Sequence, residues 1–163
     1  MLEAIRNFVA LDERLATAGQ PGEEQLRELA VSGYAVVINL GLLDPRYCLA
    51  DEAGFAQSLG LRYHHIPVDF KAPGFAELQR FIDTMDAERM QRCFVHCAAN
   101  YRVSVFVALY CQLRNGWSAG QADAHIRRLW QPDEVWAAFI NESRRQLSLD
   151  GAGDAPPRPG DRP

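Results

Sequence analysis

Lysine is almost absent. Of 17 basic residues in 163, only Lys71 is a lysine; the others are arginines scattered without a run, and the formal net charge is −4. A nucleic-acid binder needs a concentrated basic face to neutralise phosphates, so nucleic acid is not an expected partner. Long apolar runs are missing too. The opening stretch MLEAIRNFVALDERL carries Glu3, Asp12 and Glu13, which fits neither a secretory leader nor a membrane anchor, so a cytoplasmic protein without a membrane partner is expected. Cysteine is sparse and unpatterned. Cys48, Cys93, Cys97 and Cys111 lack zinc-finger spacing, and a reducing compartment argues against a disulfide framework. Neither a metal nor another cofactor is expected, and any special thiol should be free.

What is present alternates between two periods. The stretches NFVAL and RLATAG suggest short strands around a turn, and GEEQLRELAVSG carries Leu26, Leu29 and Ala30 at helical spacing with Gly33 at its end. YAVVINL is β-branched and nearly all apolar, the pattern of a strand covered on both faces. A helix around LADEAGFAQSLG, a strand LRYHHIPV and an amphipathic helix FAELQRFIDTM follow. CFVH is the next buried strand, and RVSVFVALYCQLRNG predicts a central, mostly buried helix despite its valines. Two helices close the domain, the first with Ser118 and Gln121 as a capping box, the second with Pro132 in its first turn. The fold class is α/β, a mainly parallel central sheet flanked by helices, formed as one domain over residues 1–149. Residues 150–163, rich in proline and glycine, read as a disordered tail.

Residues 94–104, FVHCAANYRVS, place a thiol and a guanidinium at the end of a buried strand. In parallel sheets ligands bind at the carboxyl ends of strands. The helix that begins near Arg102 would point its free amides and positive dipole end back at the Cys97 loop. Such a setting favours thiolate over thiol. It also cradles an anion, held by the residues Ala98, Ala99, Asn100, Tyr101, Arg102, Val103 and Ser104 through successive amides and the forked donors of Arg102. Attack of a thiolate on a phosphate ester requires both.

VHCAANYRVS resembles the active-site signature of the cysteine-dependent protein tyrosine and dual-specificity phosphatases. ATAGQPGEEQLRELAVSGYAVVINL is similar to the start of bacterial phosphatase-like domains with a short loop, and the likeness covers roughly residues 8–130. The resemblance implies that Cys97 is the nucleophile, Arg102 binds the phosphate, Ser104 steadies the thiolate and His96 orients the loop. It also implies a general acid in a loop upstream of the cysteine, where IPVDFKAPG offers Asp69. Asp83 and Asp86 lie late in a predicted helix and read as surface positions. The expected partner is a phosphorylated protein or a small phosphate ester.

This loop departs from the usual signature. Cysteine and arginine are separated by four residues, one fewer than usual, which removes about 3.5 Å of chain and one amide. Asn100 stands where glycine is usual, and asparagine tolerates positive φ better than other non-glycine residues. Rhodanese-type sulfurtransferases also use a shorter cysteine loop, so a persulfide carried on Cys97 is one alternative. A non-catalytic module that binds anions is another. Cys48, Cys93 and Cys111 read as small core hydrophobes, His64 and His65 as structural, and Trp117, Trp130 and Trp136 as packing for the last helices.

Overall fold

The structure is a computed structural model that describes residues 1–149, so the expected tail at 150–163 lies outside the described residues. The elements run β1 (Val9–Ala10), β2 (Leu15–Ala18), α1 (Glu23–Val31), β3 (Val36–Asn39), α2 (Glu52–Ser58), β4 (Arg62–His65), α3 (Phe75–Ala87), β5 (Cys93–His96), α4 (Tyr101–Arg114), α5 (Ala119–Leu129) and α6 (Glu134–Gln146). A 3-10 turn at Leu2–Ala4, without a signal in the sequence reading, precedes them.

One sheet carries the strands in the order β1-β2-β5-β3-β4. β5 pairs in parallel with β2 on one side and β3 on the other, β4 extends the parallel set, and only β1 runs antiparallel. Every residue of β2, β3 and β5 is buried. This follows from helices on both faces, which leave no solvated side for alternating polar residues. Val36, Ile38, Val95 and Cys97 face a core shared with α3, α4, α5 and α6, whereas Val37 and Phe94 face a smaller one under α1 and α2. Helix α4 is buried from Arg102 to Gln112. Burying each large side chain such as Phe106 contributes about 1.5–3 kcal/mol, which outweighs the weak helix preference of its valines. No helix among the described residues is long and apolar enough to cross a membrane.

One boundary differs from expectation. The Ser118–Gln121 capping box forms as predicted, but Pro132 sits before the last helix rather than in its first turn. Asp133 caps α6 instead, its carboxylate accepting the Trp136 N–H at 2.9 Å. An aspartate at that position satisfies an orphan amide that proline, lacking a side-chain acceptor, would leave open.

The sheet order brings three loops together. The segments after β2, β3 and β5 leave the carboxyl edge side by side, and Cys97 follows β5, the middle strand of the three.

Candidate active site

Cys97 is 1% exposed and hydrogen-bonds through its N–H to the Ala18 carbonyl at 3.4 Å. The four residues that begin the turn each have their carbonyl engaged. Cys97 O meets His96 Nδ1 at 3.3 Å, Ala98 O accepts the Gln20 N–H at 3.2 Å, and Ala99 O accepts Asn7 Nδ2 at 2.9 Å. Asn100 O accepts the Ser104 N–H at 2.9 Å. In a trans peptide the N–H points opposite to the preceding C=O. Tying these carbonyls therefore turns the amides of Ala98, Ala99 and Tyr101 to the other side, while the antiparallel bridge between Gly19 and Ala99 engages the Asn100 N–H. Those of Ala98, Ala99, Tyr101, Arg102 and Val103 have no hydrogen-bond partner among the described residues. A row of free amides at a helix start is an anion cradle.

Two backbone positions make the turn possible. Asn100 caps α4 in the left-handed region at φ 70°, as its replacement of the usual glycine suggested. Gly19 passes so close to the loop that an added Cβ would lie 2.6 Å from the Ala98 carbonyl oxygen, so only glycine lets β2 run on beside it.

Arg102 stands in the first turn of α4 and is 6% exposed. Its Nη1 donates to the Val68 carbonyl at 2.9 Å, and its guanidinium lies 5.9 Å from the centroid of the Phe70 ring. Nε and Nη2 have no partner among the described residues and are not sealed from solvent, leaving part of the donor fork for an anion. The same bond ties the segment carrying Asp69 to the cysteine loop. Asp69 itself is exposed, with Oδ1 accepting the Lys71 N–H at 2.9 Å. Asp86 bonds Arg114 and Tyr110 and Asp83 bonds Gln79, both on α3.

His96 has a partner that sequence reasoning did not name. Its Nε2 lies 2.6 Å from Glu52 Oε2, and both side chains are buried. Gln20 donates to the other Glu52 oxygen. Burial works to raise the Glu52 carboxyl, but the hydrogen bond and charge of His96, with bonds from Gln20 and Tyr63, more than offset it and hold the group below the usual carboxylate range. Both ring nitrogens of His96 face oxygen atoms, Glu52 on one side and the Cys97 carbonyl on the other. Gln20 thus touches Glu52 with its side chain and the anion loop with its backbone.

Ser104 does not hold the position expected of it. Its hydroxyl donates to the Tyr101 carbonyl at 2.6 Å and accepts from Trp130 Nε1 at 2.9 Å, so its one proton is spent within the helix and not on the Cys97 sulfur. Trp130 also stacks on Tyr101 with centroids 4.9 Å apart, and Trp136 donates to the Phe70 carbonyl at 2.8 Å. These two tryptophans brace the rim of the site as well as packing helices. His65 bonds the Gly41 carbonyl at 2.7 Å, in the loop beside Cys97. Elsewhere, burial, with Glu88 nearby, pushes the Cys93 thiol up to about 12, and burial pushes Cys111 up to about 11; both are inert core thiols at neutral pH. No cluster of His, Cys, Asp and Glu that could hold a metal occurs among the described residues.

A thiol at the end of a central parallel strand, followed by an amide loop and an arginine in the next helix, is the architecture of the protein tyrosine and dual-specificity phosphatase superfamily, and this chain is a member of it. Residues 7–138 match the family described as DSP-PTPase phosphatase fused to NAD+ kinase, and the chain belongs to that family. Among solved structures it is similar to a Shewanella putrefaciens CN-32 protein of the DUF442 group, assigned as a phosphatase, at 31% identity and a TM-score of 0.80, with 90% of this chain and 96% of that one covered. Tk-PTP in its active form matches at 21% identity and a TM-score of 0.70, over 88% of this chain and 97% of that one. A cysteine-to-serine variant of P. aeruginosa TpbA in complex with pTyr matches at 17% and 0.63, over 91% and 85%. No curated protein sequence matches the chain.

Proposed function

We propose that the protein hydrolyses phosphate monoesters, phosphotyrosine or a similar aryl or small phosphate, through a cysteinyl-phosphate intermediate on Cys97. The observation that carries this reading is the loop itself: its carbonyls are bonded outward and its amides left free above a cysteine at the strand end. Cys97 Sγ attacks phosphorus as the bond to the leaving oxygen breaks, and Asp69 gives that oxygen its proton. Water then attacks the cysteinyl phosphate, releasing phosphate and the thiolate, while the Asp69 carboxylate takes up the proton of the water. Arg102 and the loop amides match the equatorial oxygens of the transferring group, where most of the barrier reduction must arise. The pTyr in the TpbA complex has the aryl phosphate chemistry assigned here.

The test is paired. Wild type and Cys97→Ser are assayed for aryl phosphate hydrolysis with vanadate titration, and for transfer of sulfur from thiosulfate to cyanide. Vanadate-sensitive hydrolysis that disappears in Cys97→Ser is the expected result. Thiocyanate formation dependent on Cys97, with no hydrolysis, would replace the reading by sulfur transfer; phosphate binding with silence in both assays would leave a non-catalytic anion-binding module.

The role of Asp69 separates by leaving group. Asp69→Asn is expected to slow an alkyl phosphate by about 10²-fold or more, within the range for general acids, and an aryl phosphate with a good leaving group far less. Equal losses on the two substrates with an unchanged pH profile would transfer the role to water.

A further inference from the structure

Asn7 belongs to no motif and lies far from the signature in sequence, yet it is wired into the anion loop. Its Nδ2 donates to the Ala99 carbonyl at 2.9 Å. In return Asn100 Nδ2 donates to the Asn7 carbonyl at 2.8 Å and to Thr17 Oγ1 at 3.0 Å. Both asparagines sit at positive φ, 55° and 70°, conformations that persist only where surrounding contacts enforce them. Asn100 is fully buried, so its amide has no water to exchange for these partners.

We propose that Asn7 is a positioning residue of the oxyanion loop, its side-chain amide fixing the peptide between Ala99 and Asn100 and with it the turn that aims the neighbouring free amides of Ala99 and Tyr101 at the anion. This rests on the phosphatase reading. The logic comes from loop length. With one residue fewer between cysteine and arginine, the cradle has fewer amides, and each misdirected one removes a larger share of the anion's partners. A short loop also has fewer internal contacts to set its peptide planes, and Asn7 from outside and Asn100 from within supply that constraint, clasping the loop to the segment before β1.

Asn7→Gly removes the side-chain amide and keeps the positive φ that the backbone requires. Asn7→Asp keeps the shape but sets a carboxylate oxygen against the Ala99 carbonyl. Asn100→Gly preserves the left-handed cap and breaks the clasp from the other side. Vanadate binding is measured by calorimetry on each full-length protein, with kcat and KM for an aryl phosphate. Vanadate affinity and kcat are expected to fall about tenfold in Asn7→Gly, and further in Asn7→Asp, with KM changing much less and the melting midpoint staying near that of wild type, because the lost bond orients groups that matter most in the transition state.

A folded Asn7→Gly with unchanged vanadate affinity and kcat would overturn the inference while leaving the phosphatase reading intact. Wild type that binds no vanadate would overturn both. Should Asn7→Gly not fold, the same measurements on Asn100→Gly decide in the same way.

Discussion

Arg102→Ala is expected to lose both hydrolysis and oxyanion binding, with kcat/KM falling by about 10³-fold or more. Three roles converge on this one side chain. Among the described residues, its Nε and Nη2 are the free donors that a buried guanidinium places beside the loop amides. Its Nη1 holds the Val68 carbonyl, one residue before Asp69, so its removal also unties the segment that carries the proposed acid from the cradle. The carbonyl left behind is buried, and an orphaned acceptor costs about 1–3 kcal/mol. Arg102→Lys separates these roles. A lysine can reach the Val68 carbonyl and restore stability, but its single ammonium cannot offer a fork to two phosphoryl oxygens. Thermal midpoint, vanadate affinity and kcat/KM are measured on the three proteins. A lysine variant within about tenfold of wild type in kcat/KM would mean that charge alone suffices and that the fork has no special part.

How much of this was readable in advance depends on the reach of each interaction. β3 and β5 were legible because a short run of apolar residues, bounded by turn residues, has few other ways to be buried. The length of α4, the box at Ser118 and the left-handed role of Asn100 are likewise local. Cys97 and Arg102 were singled out by their place between strand and helix start and by the resemblance to the phosphatase signature, all within one stretch. Ser104 shows the limit of that method. Two residues along a helix is a rotation of about 200°, so a side chain two places after Arg102 turns away from the loop that Arg102 serves. Glu52 and Asn7 could not be found this way. Glu52 is 44 positions from His96, and what joins them is the order of the sheet, which seats β5 between β2 and β3. A weak signal existed: an acid in the first turn of a helix whose neighbours pack inward, facing a strand that ends in histidine.

Glu52 supplies the second large effect, in stability. The carboxylate is 3% exposed and holds His96 and Gln20, and through them the carbonyls of Cys97 and Ala98. Glu52→Ala leaves a buried imidazole without its partner and is expected to destabilise the protein by about 3–5 kcal/mol. Glu52→Gln keeps the shape and a hydrogen bond while removing the charge, and its deficit should depend on pH. The native carboxyl lies below its ordinary value of 4.5, so its ionised form is favoured by folding. That contribution is fully present above the unfolded value and disappears as pH falls through the lowered native one. The stability gap between wild type and Glu52→Gln is therefore widest near neutrality and closes in acid. His125, which burial with Arg128 nearby holds down to about 4, weakens the folded state in acid as well, but it does so in both proteins and cancels in the difference. Urea unfolding of the pair from neutral pH to about pH 3 reads the gap directly. A gap of constant width would show that Glu52 acts through shape and hydrogen bonding, with no part for its charge against His96.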